Sequence, residues 1–129
     1  MDLNKSMNIL VVDDHESMRR IVKHVLIDIG FSNIEMADDG ATALPLLKGG
    51  NYDFLISDWN MPRMAGIDLL KAVRSDPELK SMPVLLVTAE TKKEQIIEAA
   101  KAGVNDYVIK PFNKETLQKK IESVFSKIK

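Results

Sequence analysis

Residues 8–30 read NILVVDDHESMRRIVKHVLIDIG and encode a strand followed by a helix. The unbroken apolar run at residues 8–12 predicts a strand that is buried on both faces, as in a parallel sheet. Two aspartates end the run, and Gly30 stands where a helix C-terminal cap is expected. Between them the apolar residues recur at helical spacing, at Met18, Ile21, Val22, Val25, Leu26 and Ile29. We therefore predict one βα unit near the start of the chain.

The same alternation of strand and helix repeats four more times. Further strands are predicted at residues 34–37, 53–57, 82–87 and 107–109. Five apolar strands, each followed by a helix, require a parallel sheet that is covered on both sides. Right-handed crossovers then allow a doubly wound sheet, and five strands are too few for an eight-stranded barrel. The predicted fold class is therefore α/β, with a doubly wound five-stranded parallel sheet.

The helices that follow these strands have predictable ends. The second helix is expected at residues 39–48, where Pro45 should bend or shorten it because proline lacks an amide donor. The fourth should begin at a capping box formed by Thr91 and Glu94 and end at Gly103. The inner face of the last helix is predicted to consist of Leu117, Ile121, Val124 and Ile128.

Composition and charge narrow the class of protein. The chain has 129 residues, enough for one domain, and no cysteine, which excludes disulfides, thiolate nucleophiles and cysteine metal sites. Its net charge of −1 argues against a nucleic-acid or membrane surface. No apolar run approaches a membrane span, and no signal peptide is evident. We expect a flexible arm at residues 1–7, one domain at residues 8–129, and a monomeric cytoplasmic protein without an attached DNA-binding domain.

Polar side chains stand where four of the predicted strands end. Asp13 and Asp14 follow the first strand, Asp58 the third, Thr88 the fourth and Lys110 the fifth. The carboxyl ends of parallel strands meet at one edge of a sheet, where ligands bind. Any one of these residues could simply be a turn residue or a helix N-cap. Three carboxylates together, however, would repel one another and raise one another's pKa unless a cation intervenes.

A hard divalent cation is the natural partner of such a carboxylate cluster. Mg²⁺ fits best, because it binds a few carboxylates and completes its shell with water and phosphate. One carboxylate can then act as a nucleophile toward a phosphoryl group. The hydroxyl and the ammonium can hold the phosphoryl oxygens, because this chemistry depends mostly on positioning and charge neutralisation. The edge is thus predicted to be a Mg²⁺-dependent phosphorylation site.

Four sequence motifs occupy these strand ends: Asp13-Asp14, Asp58-Trp59-Asn60-Met61-Pro62, Thr88-Ala89-Glu90 and Lys110-Pro111-Phe112. Together they resemble the receiver domains of bacterial two-component response regulators, from residue 8 to residue 129. Within that family the chain resembles the single-domain response regulators of chemotaxis. This narrower resemblance is carried by Trp59-Asn60, Ala89-Glu90 and Met18-Arg19-Arg20-Ile21-Val22.

The resemblance implies a (βα)5 sandwich with strand order 2-1-3-4-5 and implies roles for the residues at its edge. Asp58 would be the phosphoacceptor, taking its phosphoryl group from a phosphohistidine on a histidine kinase. Asp14 and Asp58 would bind Mg²⁺ through carboxylate oxygens, and Asp13 would act mainly through water. The backbone carbonyl of Asn60 would complete the protein ligands of the metal.

The same resemblance implies how phosphorylation would change the surface. Lys110 would pair with the acceptor carboxylate and then with the phosphate, and its bond to Pro111 would be cis. Thr88 would bond a phosphoryl oxygen, and Tyr107 would change rotamer with it. The altered surface of the fourth helix, fifth strand and fifth helix would be recognised by a flagellar motor switch protein. A phosphatase would be a further partner.

Three residues near these motifs depart from the chemotaxis pattern. One of them, Ala65, precedes Gly66 where Asp or Asn is common and should alter only the loop. His15 stands where an aromatic residue is common, and beside a hard-oxygen site it is expected to be an exposed residue rather than a ligand. Asp106 precedes Tyr107 where a small uncharged residue is common. It should repel an acidic docking peptide or remain unpaired if it is buried. Trp59, the only tryptophan, is expected to report on the site because it adjoins Asp58.

The leading interpretation is a chemotaxis signalling switch that is not an enzyme. Two alternatives, a phosphorelay intermediate and a phosphate sink, keep the receiver but change its pathway. A Mg²⁺-dependent aspartyl phosphohydrolase is disfavoured, since such enzymes usually carry a second aspartate two residues after the nucleophile, where this chain has Asn60. A flavin carrier of the same topology is disfavoured because Asp13 and Asp14 would repel the FMN phosphate.

Overall fold

Strands and helices alternate along the chain. The computed structural model describes residues 4–89 and 92–126. The elements are, in order, β1 (Asn8–Val12), α1 (Glu16–Ile29), β2 (Asn33–Ala37), α2 (Gly40–Gly49), β3 (Phe54–Asp58), α3 (Gly66–Ser75), β4 (Val84–Thr88), α4 (Lys93–Ala102), β5 (Asp106–Ile109) and α5 (Lys114–Ser126). Each strand pair is parallel, and the strand order is β2-β1-β3-β4-β5. The predicted α/β fold, with its doubly wound five-stranded sheet in the order 2-1-3-4-5, is confirmed.

Two hydrophobic layers cover the two faces of the sheet. Ile9 and Val11 of β1 pack into the layer beneath α1 and α5, while Leu10 and Val12 pack into the layer beneath α2, α3 and α4. All four side chains are at most 1% exposed. Successive strand residues point to opposite faces. The unbroken apolar run of β1 is therefore explained by its position between two covered faces.

Two strands end one residue later than the sequence predicts. β3 runs to Asp58 and β4 runs to Thr88, so the sheet itself holds both polar residues. In the sheet register, Asp58 lies beside Val87 and Thr88 lies beside Ile109. This placement restricts the two side chains more than a loop would, because loops are the more mobile parts of a fold.

Helices α2 and α4 differ in how far they test the predicted helix features. Helix α2 keeps ten residues despite Pro45, so of the two predicted effects, bending or shortening, the proline does not cause the shortening. Pro45 and Ala41 are both exposed, and solvent can therefore hydrogen-bond the Ala41 carbonyl that lacks its usual donor. Helix α4 begins at Lys93. The predicted capping box depends on Thr91, which lies outside the described residues.

Helix α1 has an apolar stripe that is only partly buried. Val22 and Leu26 are 2% and 0% exposed, as predicted, but Ile21 is 50% exposed. Neighbouring helical residues point roughly 100° apart, so a sheet that covers Val22 leaves Ile21 in solvent. The apolar stripe predicted at helical spacing is therefore present, but the sheet does not cover its whole width.

Helix α5 packs over the sheet through the predicted face. Its buried residues are Leu117, Ile121 and Val124, and Ile128 lies outside the described residues.

Within residues 4–89 and 92–126, no helix combines the length and apolarity needed to cross a bilayer.

The residues before β1 are attached to the domain. Met7 is 5% exposed and packs into the layer beneath α1 and α5. Lys5 Nζ donates a hydrogen bond to the backbone carbonyl of Ile29 at 3.2 Å, and Asn33 Nδ2 donates to the carbonyl of Ser6 at 2.8 Å. Met7 therefore belongs with the domain rather than with the predicted N-terminal arm, whose first three residues lie outside the described part of the chain.

Two substitutions in α1 test the burial pattern. Leu26→Ala should lower the free energy of unfolding by about 2–5 kcal/mol, because it leaves a cavity in a fully buried position. Ile21→Ala should change it by about 0.5 kcal/mol or less, because the side chain is largely in solvent. Urea unfolding followed by circular dichroism measures both values. Equal losses in the two variants would contradict the packing of α1.

Candidate metal centre at the carboxyl edge of the sheet

The carboxyl edge of the sheet brings the predicted site residues together. The register of β1 against β3 makes Asp13 and Asp58 neighbours. The backbone N–H of Lys110 donates to the carbonyl of Thr88 at 2.8 Å, which places the residue after β5 beside the end of β4. The predicted convergence of these strand ends at one edge is therefore observed.

Four side chains at this edge could ligate a cation. Asp13, Asp14, His15 and Asp58 offer ligand atoms that all lie within 4.8 Å of one another. Asp13 is 3% exposed and Asp58 5% exposed. Asp14 Oδ1 is buried and accepts no hydrogen bond, although His15 Nδ1 lies 3.2 Å from it. A buried carboxylate oxygen without a partner costs free energy, and these hard oxygens fit the ligand preference of Mg²⁺.

Lys110, the residue after β5, supplies positive charge to the carboxylates at the ends of β1 and β3. Its Nζ lies 3.0 Å from Asp58 Oδ1 and 3.5 Å from Asp13 Oδ2. With Asp14, the three carboxylates and one ammonium leave a net charge of −2 when His15 is neutral. That charge matches a divalent cation.

Burial and charge shift the pKa of both members of the Asp58–Lys110 pair. Burial raises the pKa of Asp58, and the nearby charge of Asp13 raises it further, so the hydrogen bond from Lys110 compensates only in part. Burial alone would lower the pKa of Lys110, but its contacts with Asp58 and Asp13 outweigh burial and raise it. The Lys110 ammonium is therefore charged at neutral pH, while the Asp58 carboxylate is held at a free-energy cost.

His15 lies closer to the site than the sequence predicts. Its side chain is 66% exposed, as expected, yet Nδ1 is 3.2 Å from both Asp13 Oδ1 and Asp14 Oδ1. It is the N-cap residue of α1, and its backbone N–H donates to Asp13 Oδ1 at 2.9 Å. Adjacency to the two aspartates was the only signal in the sequence for this contact.

Two residues that follow Asp58 differ in their surroundings. Trp59 is 6% exposed, packs in the layer beneath α2, α3 and α4, and donates its backbone N–H to the carbonyl of Val87 at 2.9 Å. Asn60 is exposed and begins the loop that leads to α3. Trp59 is thus buried in the core one residue after Asp58, and its use as a spectroscopic reporter stays a prediction.

Tyr107 lies on β5 with a charged pair beside it. Its ring packs against the layer beneath α2, α3 and α4. Lys120 Nζ lies 5.1 Å from the ring centroid and 3.3 Å from Asp106 Oδ1. Asp106 is paired in this structure, because Lys120 of α5 reaches it, and its effect on a docked peptide stays a prediction. The two residues are 14 positions apart, and no local pattern indicates such a pair.

Asp58→Asn should raise the midpoint of thermal unfolding at pH 7 in the absence of divalent cations. A carboxyl group whose pKa is raised in the folded state stabilises the fold only below that pKa, and the contribution is lost as the pH rises through it. Lys110 keeps its contact with Asp13 in the variant. A gain of about 1 kcal/mol corresponds to roughly 4 °C for a domain of this size.

The gain should shrink as the pH falls toward 3.8, the ordinary pKa of an aspartate. Thermal unfolding curves recorded between pH 7 and pH 3.8 measure this gain in the midpoint. The exposed carboxylate Asp28 provides the matched control, because Asp28→Asn should have little effect at either end of the range. A lower midpoint for Asp58→Asn at pH 7 would contradict the charge balance described for the site.

Comparison with known proteins gives concordant results. The profile of the family "Response regulator receiver domain" matches residues 9–122. The chain is 60% identical over 126 residues to chemotaxis protein CheY-3 of Vibrio cholerae serotype O1. The aligned region covers 98% of this chain and 97% of that protein. It is 62% identical over 122 residues to chemotaxis protein CheY of Pseudomonas aeruginosa, covering 95% of this chain and 98% of that one.

Solved structures agree with the sequence comparisons. Chemotaxis protein CheY4 of Vibrio cholerae matches with a TM-score of 0.86 at 40% identity, over 92% of this chain and 98% of that one. The receiver domain of the Francisella response regulator 1452 matches with a TM-score of 0.84 at 32% identity, over 96% and 100% of the two chains. Because the family profile spans nearly the whole sheet and its helices, the chain belongs to the response regulator receiver domain family.

Proposed function

We propose that this chain is a signalling switch of bacterial chemotaxis that is turned on when Asp58 accepts a phosphoryl group in the presence of Mg²⁺. The observation that carries the proposal is the buried Asp58 carboxylate, held 3.0 Å from Lys110 and beside the carboxylates of Asp13 and Asp14. The chemotaxis assignment is supported by relatives at 60% and 62% identity that are chemotaxis proteins.

A divalent cation is part of this proposal. Asp14 and Asp58 would hold Mg²⁺ through carboxylate oxygens, Asp13 through water, and Asn60 through its backbone carbonyl. The buried Asp14 oxygen without a hydrogen-bond donor supports this assignment. When bound, Mg²⁺ neutralises negative charge on the carboxylates and on the incoming phosphoryl group.

The side chains of this chain would then direct phosphoryl transfer. An Asp58 carboxylate oxygen attacks the phosphorus of a phosphohistidine on a histidine kinase, so that an O–P bond forms and the N–P bond breaks. The electron pair leaves with the imidazole. The Lys110 ammonium, already 3.0 Å from Asp58 Oδ1, turns to a phosphoryl oxygen. The Thr88 hydroxyl, at the end of the next strand, donates to another.

Phosphorylation would change the binding surface of the chain through contacts between β4 and β5. Thr88 lies beside Ile109, and Leu86 lies beside Tyr107. Movement of the Thr88 hydroxyl toward the phosphoryl group would vacate space into which the Tyr107 ring can turn. The surface of α4, β5 and α5 would change, and a partner that prefers the new surface would shift the population toward it.

The partners follow from this scheme. A histidine kinase of the chemotaxis type supplies the phosphoryl group, a flagellar motor switch protein is the proposed target, and a phosphatase resets the switch. The chain modifies only itself, at Asp58, and is therefore not an enzyme toward other substrates. We place it in the cytoplasm, where such kinases present their phosphohistidine.

A second function, as a phosphorelay intermediate or phosphate sink, is favoured by one contact. Lys120 on the proposed output face is already paired with Asp106 at 3.3 Å. A neutralised lysine attracts an acidic docking peptide less than a free one would. Phosphorylation at Asp58 would be the same in both functions, and only binding to the motor would differ.

Acetyl phosphate should label the wild-type chain on Asp58 only when Mg²⁺ is present. Phosphate-affinity electrophoresis and mass spectrometry of the intact protein measure the product. Asp58→Asn should abolish labelling, and a chelator should do the same. Asp28→Asn, on an exposed carboxylate of α1, should label normally. Undiminished labelling of Asp58→Asn, or of the wild type with a chelator, would contradict the proposed chemistry.

Binding to a motor-switch peptide should be weak in the wild type and stronger in Asp106→Gly. The substitution removes a carboxylate beside Tyr107 and frees Lys120 for an acidic partner. We expect about fivefold tighter binding, equivalent to about 1 kcal/mol, when both proteins are activated with beryllofluoride and titrated by fluorescence anisotropy. Asp106→Asn keeps the side-chain shape and should give an intermediate value. Tight wild-type binding that neither variant changes would show that Asp106 has no such role.

A further inference from the structure

Arg63 lies in the loop between β3 and α3 and has an unusual backbone conformation for its residue type. Its φ of 64° is in the left-handed region, and within residues 4–89 and 92–126 no other non-glycine residue has a positive φ. A residue with a Cβ disfavours this region. Contacts made by Arg63 must therefore hold the loop in this shape.

The guanidinium of Arg63 is held by a buried carboxylate. Arg63 Nε donates to Asp39 Oδ2 at 2.6 Å, and Nη2 contacts the same oxygen. Asp39 Oδ1 accepts the backbone N–H of Thr42 at 2.8 Å and so caps α2. Asp39 is only 2% exposed. The hydrogen bond from Thr42, with the Arg63 contacts, outweighs burial and lowers the pKa of Asp39, so one ionised carboxylate joins the loop to the start of α2.

A backbone contact joins the same two segments. The N–H of Gly40, the first residue of α2, donates to the carbonyl of Met64 at 3.3 Å. A Cβ at Gly40 would lie only 2.8 Å from that carbonyl oxygen, so the close approach requires glycine. Arg63 and Met64 are thus both attached to the N-terminal end of α2.

The loop is also attached at its two ends and through Met61 and Met64, which pack against the layer beneath α2, α3 and α4. The N–H of Trp59 donates to the carbonyl of Val87 at 2.9 Å, and the N–H of Gly66 donates to the carbonyl of Trp59 at 2.8 Å. Asn60 lies between these ends and is exposed. Together with the packing of Met61, the contact of Arg63 with Asp39, three residues beyond Asn60, therefore limits how far the Asn60 carbonyl can move.

We propose that the Arg63–Asp39 pair is a positioning device that presents the Asn60 carbonyl to a divalent cation and so sets the cation affinity of the phosphorylation site. This inference rests on the proposed function, because it takes the Asn60 carbonyl as a metal ligand. Neither Arg63 nor Asp39 touches the cation. Both act through the shape of the loop, as residues behind the ligands of metal sites commonly do.

The test measures metal affinity in the folded protein. Mg²⁺ is titrated against Trp59 emission, and Mn²⁺ binding is counted by electron paramagnetic resonance of the free ion, which does not depend on tryptophan. Arg63→Ala should weaken binding of both ions by roughly tenfold. Asp39→Asn, which retains an oxygen to cap α2, should weaken it to a similar extent. The double variant should bind the ions no more weakly than the single variant with the lower affinity, because both substitutions remove the same interaction.

Two further variants separate positioning from stability. Arg63→Gly removes the pair but tolerates the positive φ, so it should fold at least as well as Arg63→Ala and still bind the ions more weakly than the wild type. Arg20→Ala removes an exposed arginine from an ion pair with Glu16 on α1 and should leave affinity unchanged. Normal affinity in Arg63→Ala and Asp39→Asn, with reduced stability alone, would overturn the inference. Failure of the wild type to bind either ion would instead overturn the metal assignment in the proposed function.

Discussion

Repulsion among buried carboxylates is the constraint on which the site depends. Asp13 and Asp58 are nearly inaccessible to water, and the Asp14 oxygen beside them lacks a hydrogen-bond donor. Burial and, to a smaller extent, the charge of Asp13 raise the pKa of Asp58, and Lys110 offsets the two effects only in part. The fold therefore holds the Asp58 carboxylate in an unfavourable environment. Binding of a cation, phosphorylation, or both would change that environment. That property suits a switch better than it suits a static structural site.

The sheet explains why this repulsion persists in the folded state. β1 and β3 are covered on both faces, and their side chains are almost fully buried, so the edge cannot relax by separating the strands. Burial of these apolar strands supplies the stabilisation that tolerates unfavourable charge at their ends. The same rigidity would transmit a change at Asp58 to Thr88 and Tyr107, because packed cores adopt discrete arrangements instead of deforming continuously.

Most of the fold could be predicted from the sequence because its signals are local. The apolar run of β1, the helical spacing of α1 and the cap at Gly30 each lie within a short segment, and the order of such segments determines the class of sheet. The candidate site could be predicted for the same reason, since its residues stand at strand ends. The exposure of Ile21 could not be predicted, because helical spacing alone does not say how wide a stripe the sheet covers.

Side-chain pairs between distant segments could not be predicted. Asp106 pairs with Lys120 across 14 positions and Arg63 pairs with Asp39 across 24. No periodic pattern in the sequence indicates either pair. From the sequence alone, Lys120 and Arg63 could equally have been solvated surface residues. The loop shape at Arg63 depends on a carboxylate supplied by another βα unit.

The most direct test of the account is the thermal stability of the wild type and of Asp58→Asn as Mg²⁺ is added from none to saturation. A ligand that binds only the folded state stabilises it in proportion to the logarithm of its concentration relative to its Kd. We predict that the wild type starts lower, gains stability with Mg²⁺ and overtakes the variant, whose gain is much smaller. Equal gains in the two proteins, or no gain in the wild type, would contradict it.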